Sequence, residues 1–148
     1  MKTLKKIIFW LLSFTWGLPV TLVGALIAIV LLIAGHKPHR FYQNVYFCFG
    51  KGGWGFEAGP FFFLSTDAAD SLDMKQHESG HGLQNIMFGP LMPFMPFLVS
   101  IPSCIRFWYR ELLVNSGRKK YNELPEYDSA WFEGMATKLG KKYYKEER

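Results

Sequence analysis

A chain of 148 residues that is 49% hydrophobic and 18% aromatic has room for one domain with a core of modest size. So much apolar material in so short a chain predicts that lipid covers part of its surface. The net charge of +5 is unevenly placed, because all twelve acidic residues lie after position 56 while Lys2, Lys5 and Lys6 precede the first apolar run. The basic residues adjoin apolar segments and no G-x-x-x-x-G-K phosphate loop is present, so a lipid bilayer is the expected partner and nucleic acid is not.

The first apolar run, Ile7 to Ala34, carries no charge across twenty-eight positions. About twenty apolar residues suffice for a helix to cross the hydrocarbon core, so residues 1–40 are predicted as an N-terminal transmembrane anchor. A cleaved signal peptide has a shorter apolar stretch, about 7–15 residues. Trp10 and Trp16 near one end, and His36-Lys37-Pro38-His39-Arg40 at the other, read as interfacial anchors. Pro19 is expected to kink the span. The implied location is integral to a membrane, of the bacterial cell-membrane type.

Residues 41–148 are predicted as one small α+β domain. Asn44 to Phe49 has strand character, Gly50-Lys51-Gly52-Gly53 is a turn, and Trp54-Gly55-Phe56 resumes an extended segment, giving a small β-hairpin. One of its strands either forms an edge that pairs with extended peptide or simply roofs the helix that follows. Phe56 to Leu64 reads as a strand interrupted by Gly59-Pro60, and Ser65 to Asp70 supply turn and capping residues.

The next helix holds His77-Glu78-Ser79-Gly80-His81, the pattern H-E-x-x-H. In a helix, two histidines four residues apart share a face and can hold one metal ion, with Glu78 beside them as general base toward water. Gly89-Pro90 is expected to end the helix.

Residues 86–107 are apolar but contain Pro90, Pro93, Pro96 and Pro102. A proline-broken hydrophobic hairpin that dips into the membrane and returns is favoured over a spanning helix. Full crossing would place any downstream metal ligand about 30 Å from the histidines. Tyr127 to about Tyr144 is predicted as the last helix, with Lys141, Lys142 and Lys145 near its negative end. Cations at both ends of the chain pull both toward the cytoplasm, so orientation stays open.

A catalytic zinc commonly uses three protein donors, so one more is needed downstream. Gln84 and Met87 occupy the positions where a metzincin needs glycine and a third histidine. The remaining candidates are Glu111, Glu123, Glu126, Asp128 and Glu133. Glu133 is favoured because an unpaired carboxylate among apolar neighbours is costly, and Asp128 is held in reserve.

Glu133-Gly134-Met135-Ala136-Thr137 resembles the E-x-x-A-D motif of gluzincins, in particular the membrane-embedded zinc peptidases of the M48 type (the CAAX-prenyl and heat-shock membrane proteases). The resemblance covers the motif blocks and their order, roughly residues 72 to 140. It implies a minimal zincin-like domain binding one Zn²⁺ per chain through His77, His81 and Glu133, with Glu78 as catalytic base. Thr137 stands where that family has Asp, so a hydroxyl or another group must orient a ligand histidine.

Two function classes follow. One is a membrane-anchored zinc metallopeptidase acting on peptides or membrane proteins. The other is a non-enzymatic membrane adaptor or assembly factor with a structural metal or none. Cys48 and Cys104 lack metal-ligand spacing and are expected as buried free thiols.

Overall fold

The computed structural model describes residues 2–95, 101–123 and 129–145. The N-terminal apolar run forms two helices, α1 (Lys2–Phe14) and α2 (Leu18–Ile33), bent by 96° at the short break between them. The apolar run is thus broken rather than one continuous helix: no single helix among the described residues is long and apolar enough to cross a membrane, but the bent pair together meets that length and composition. The break centres on Gly17, ahead of Pro19. Pro19 occupies the first turn of α2, where its missing N–H costs nothing. Asn85 reaches back to the Gly17 carbonyl and the Thr21 hydroxyl, both at 3.4 Å, and holds the corner against the domain.

Four strands follow: β1 (His39–Phe41), β2 (Asn44–Cys48), β3 (Gly55–Ala58) and β4 (Phe61–Leu64). Their order is β1-β2-β4-β3, with β2 and β4 parallel and the other pairs antiparallel. The expected hairpin between β2 and the Trp54 strand therefore does not form. β4 inserts between them, and the hairpin is β3–β4 around Gly59, whose φ of +73° suits glycine. Composition explains the exchange, since Phe61-Phe62-Phe63-Leu64 is apolar on both faces and suits a covered central strand, while Glu57 is better tolerated at an edge. His39 stacks on Tyr46 and His36 meets Phe49 edge-on, so both rings pack on this sheet. Trp10 likewise turns inward, donating to the Gln43 carbonyl at 2.9 Å.

The sheet has two covered faces. Phe47, Ala58 and Phe63 pack with Ala28 and Leu31 of α2. Phe62 and Leu64 face the other way, with Ala68 and Met74, toward α3 (Leu72–Phe88). Helix α3 starts where Ser71 accepts a hydrogen bond from the Met74 N–H, and stops at Gly89 with φ of +53°. A 3₁₀ segment, Gly89–Phe94, follows, and residues 96–100, among them Pro96, lie outside the described residues. The path of the proline-rich hairpin is thus described only in part. It resumes as α4 (Ile101–Asn115).

The final helix, α5 (Trp131–Tyr143), packs against α3 more extensively than any other pair of elements. Its N-terminus is later than the predicted Tyr127, and residues 124–128, including Glu126 and Asp128, lie outside the described residues. The two helices touch backbone to backbone at two points. A Cβ at Gly80 would lie 2.0 Å from the Ala136 carbonyl oxygen, and one at Gly140 would lie 2.0 Å from that of Gln76. Gln76 adds a hydrogen bond from its amide to the Tyr144 carbonyl, 2.7 Å. Gly80→Val should therefore force α3 and α5 apart and destabilise the protein by at least the ~1–3 kcal/mol typical of overpacking. Denaturant unfolding in detergent, with exposed Lys138→Ala as the reference, checks this; equal midpoints for the two variants would refute the close crossing.

Candidate metal centre

The α3–α5 crossing sets three donor atoms around one point. His77 and His81 stand one turn apart on α3, and Glu133 projects from the first turn of α5. His81 Nε2 lies 3.2 Å from His77 Nε2 and 3.2 Å from Glu133 Oε2, and His77 Nε2 lies 3.3 Å from the same oxygen. Donors at about 2.0 Å from a common zinc in tetrahedral order lie about 3.3 Å apart, so the triangle has the right edge length. His77, His81 and Glu133 form a buried cluster capable of chelating a metal ion.

The far sides of the imidazoles decide which atoms are free to bind. His81 Nδ1 lies 2.6 Å from Gln84 Oε1, while Gln84 Nε2 donates to the Phe132 carbonyl at 2.8 Å. That second bond fixes the amide orientation, so Oε1 faces His81 and can only accept. His81 must carry its proton on Nδ1, which leaves Nε2 as a lone-pair donor. His77 Nδ1 lies 2.8 Å from the Thr137 hydroxyl, which supplies the orienting contact in place of a carboxylate. With a lone pair on His81 Nε2 and a carboxylate oxygen of Glu133 3.2 Å away, a cation between them relieves their repulsion. The donor set therefore fits a divalent metal, with nitrogen and oxygen ligands of the kind zinc takes.

Glu78 is buried beside the cluster without belonging to it. Burial pushes its carboxyl above the ordinary carboxylate range, with Glu133 adding to the rise and His81 and His77 opposing it. Room for it comes from β3, because a Cβ at Gly55 would sit 2.7 Å from Glu78 Oε1. Two residues along the same face of β3 stands Glu57. Burial first, then the Glu78 charge, hold its carboxyl well above the ordinary range, with the Gly59 N–H opposing them. Its Oε1 is enclosed without a hydrogen-bond partner among the described residues.

Of the other acids considered, Glu123 is exposed and accepts from the Lys120 N–H at 3.2 Å, and Glu111 is outside the cluster. Cys48 is a half-buried free thiol whose pKa burial raises, and the side chain of Cys104 lies outside the described set. Sequence reasoning missed the roles of Gln84 and Glu57. The i, i+3 spacing of His81 and Gln84 was the available signal for the first, and a lone acid within the run Phe56-Glu57-Ala58 for the second. No family model, no curated protein and no solved structure matches this chain.

Removing either orienting contact should weaken zinc by about 10–100-fold, the usual cost of losing such a partner. Gln84→Met and Thr137→Val, titrated against a chromophoric chelator with circular dichroism as a fold check, test it. Wild-type affinity in both folded variants would remove the orienting roles assigned here.

Proposed function

We propose that the chain is a membrane-anchored zinc metallopeptidase that hydrolyses peptide bonds, with His77, His81 and Glu133 as metal ligands and Glu78 as general base. The observation that carries this reading is the convergence of His77 Nε2, His81 Nε2 and Glu133 Oε2 while both Nδ1 atoms are engaged elsewhere. A zinc ion held there supplies a Lewis acid that brings the pKa of water toward neutrality and polarises a carbonyl oxygen. Three protein donors leave room for a fourth position, as catalytic rather than structural sites do.

The residues divide the remaining work. Glu78 accepts the proton of the attacking water at its carboxylate and returns it to the leaving amine; its raised pKa suits both halves of that task. Gln84 holds His81 in one tautomer, Thr137 contacts the ring of His77, and Phe132, tilted against His81 at 5.3 Å between ring centroids, shields the ligand side of the site. β3 is the edge strand of the sheet and lies next to α3, so an extended peptide can add to it as a further strand and pass Glu78. The positioning of Gly55 against the Glu78 carboxylate keeps that passage short.

The decisive comparison is between Glu78→Gln and Glu133→Gln. Glu78→Gln should retain zinc and fold while peptide hydrolysis falls by about 10²–10⁴-fold, the span for loss of a general base. Glu133→Gln should lose zinc retention, as should His77→Ala and His81→Ala, because each removes a donor. Bound zinc and cleavage of peptides or unfolded membrane proteins are read for the same preparations. If Glu78→Gln loses metal as severely as His77→Ala, the division of roles fails. If all folded variants hold zinc alike, the metal reading fails; zinc held without any cleavage by wild type favours a non-enzymatic protein with a structural metal.

A further inference from the structure

The outward faces of α1 and α2 have no partner in the fold. Ile7, Leu11, Leu22, Leu26, Ile29 and Ile33 are between 50% and 83% exposed. The inward face of α2, by contrast, is spent on the domain. Thr21, Gly24, Ala28 and Leu31 are buried, and a Cβ at Gly24 would come 2.1 Å from the Ala58 carbonyl oxygen.

That contact ties α2 to the sheet. At 13 and 16 residues the two helices are about 20 and 24 Å long, against a hydrocarbon core of about 30 Å, and they meet at 96°. If α2 nevertheless crossed, it would carry the attached sheet into lipid. The outer edges of β1 and β3, and the exposed Arg40, would then face hydrocarbon with their polar groups unsatisfied. Charge identifies what covers the face instead. Lys5 and Lys6 are exposed on α1, Lys37 and Arg40 are exposed just past α2, and no acidic residue occurs before Glu57. An apolar face rimmed only by cations fits a leaflet with anionic headgroups.

We infer that α1 and α2 form a monotopic platform embedded in one leaflet of an anionic bilayer, presenting the metal centre to peptide lying at that same membrane surface. The substrate half of this inference rests on the peptidase reading above. Its reach follows from α3, whose C-terminal half packs on α1. A Cβ at Gly82 would touch the Phe9 ring at 3.6 Å, and Trp16 lies over Gly89. His81 is eight residues before Gly89, at most about 12 Å along the helix. Chain segments just outside the hydrocarbon boundary are therefore the substrate class the site can meet.

The test uses the unaltered protein in the membrane of a bacterial host. Spheroplasts are treated with a membrane-impermeant amine-acylating reagent before and after permeabilisation, and acylation of Lys5, Lys6 and Lys37 is read by peptide mass spectrometry. The expected result is that all three lysines behave alike in intact spheroplasts, together reactive or together protected, and that all react after permeabilisation. Opposite behaviour of Lys37 and the Lys5–Lys6 pair means that the segment crosses, and overturns the inference while leaving a membrane-anchored peptidase standing. Recovery of the protein in the salt-washed soluble fraction, for instance as a dimer that buries this face, overturns the platform and the membrane anchoring together. Zinc content and peptide cleavage, measured on the same material, report separately on the peptidase reading.

Discussion

The closest constraint in the molecule is the crossing of α3 and α5, where Gly80 meets the Ala136 carbonyl and Gly140 meets that of Gln76. A helix pair in ordinary side-chain contact stands about 8–10 Å apart between axes, and a pair in backbone contact comes nearer. Only that nearness lets a carboxylate on α5 reach two histidines on α3 with a short side chain. Glu133, Ala136 and Gly140 lie on one stripe of α5 at spacings of three and four, so the same face brings the ligand and the contact points. Gln84 ties the upper part of the crossing to the Phe132 carbonyl and Gln76 ties the lower part to that of Tyr144. The convergence of His77, His81 and Glu133 is thus a consequence of how two helices pack, and its polar contacts are also the contacts that hold them in register.

Much of this was legible in the sequence. The H-E-x-x-H spacing placed two imidazoles on one face, and the cost of burying an unpaired acid singled out Glu133 among the downstream carboxylates. The stop at Gly89-Pro90 followed from local backbone chemistry alone. Each of these depends on residues within one or two helical turns. What escaped depends on contacts between distant segments. The run Ile7 to Ala34 reads as one span because hydropathy counts apolar residues without asking what they touch. Its break is set by Gly17 and Thr21 meeting Asn85, nearly seventy residues away in sequence. The strand order failed for the same reason. A hairpin is the nearest pairing available to β2, but the all-apolar β4 gains more from a position covered on both sides.

The gluzincin pattern carries a carboxylate where this chain has Thr137, and here a hydroxyl meets the histidine instead. The Thr137 hydroxyl stands 2.8 Å from His77 Nδ1 and the Gln84 amide 2.6 Å from His81 Nδ1, so both orienting groups are neutral. Neutral partners fix ring orientation, and the Gln84 amide fixes the His81 tautomer as well, while raising imidazole basicity less than a carboxylate does. The choice has an electrostatic consequence in so buried a place. A divalent metal with Glu133 and Glu78 both ionised is charge-balanced. An aspartate at position 137 would leave a net negative centre in surroundings that solvate charge poorly.

Glu57 fits the same accounting. It is a third carboxyl close enough to Glu78 to feel its charge, placed where burial already penalises ionisation. An ionised Glu57 would add the negative charge that Thr137 and Gln84 avoid, and its raised pKa works against that. Burial raises the Glu78 carboxyl as well, with the two histidines opposing the rise and Glu133 adding to it. Uncharged partners at Thr137 and Gln84 thus keep further charge out of a place that already encloses the carboxyls of Glu57, Glu78 and Glu133.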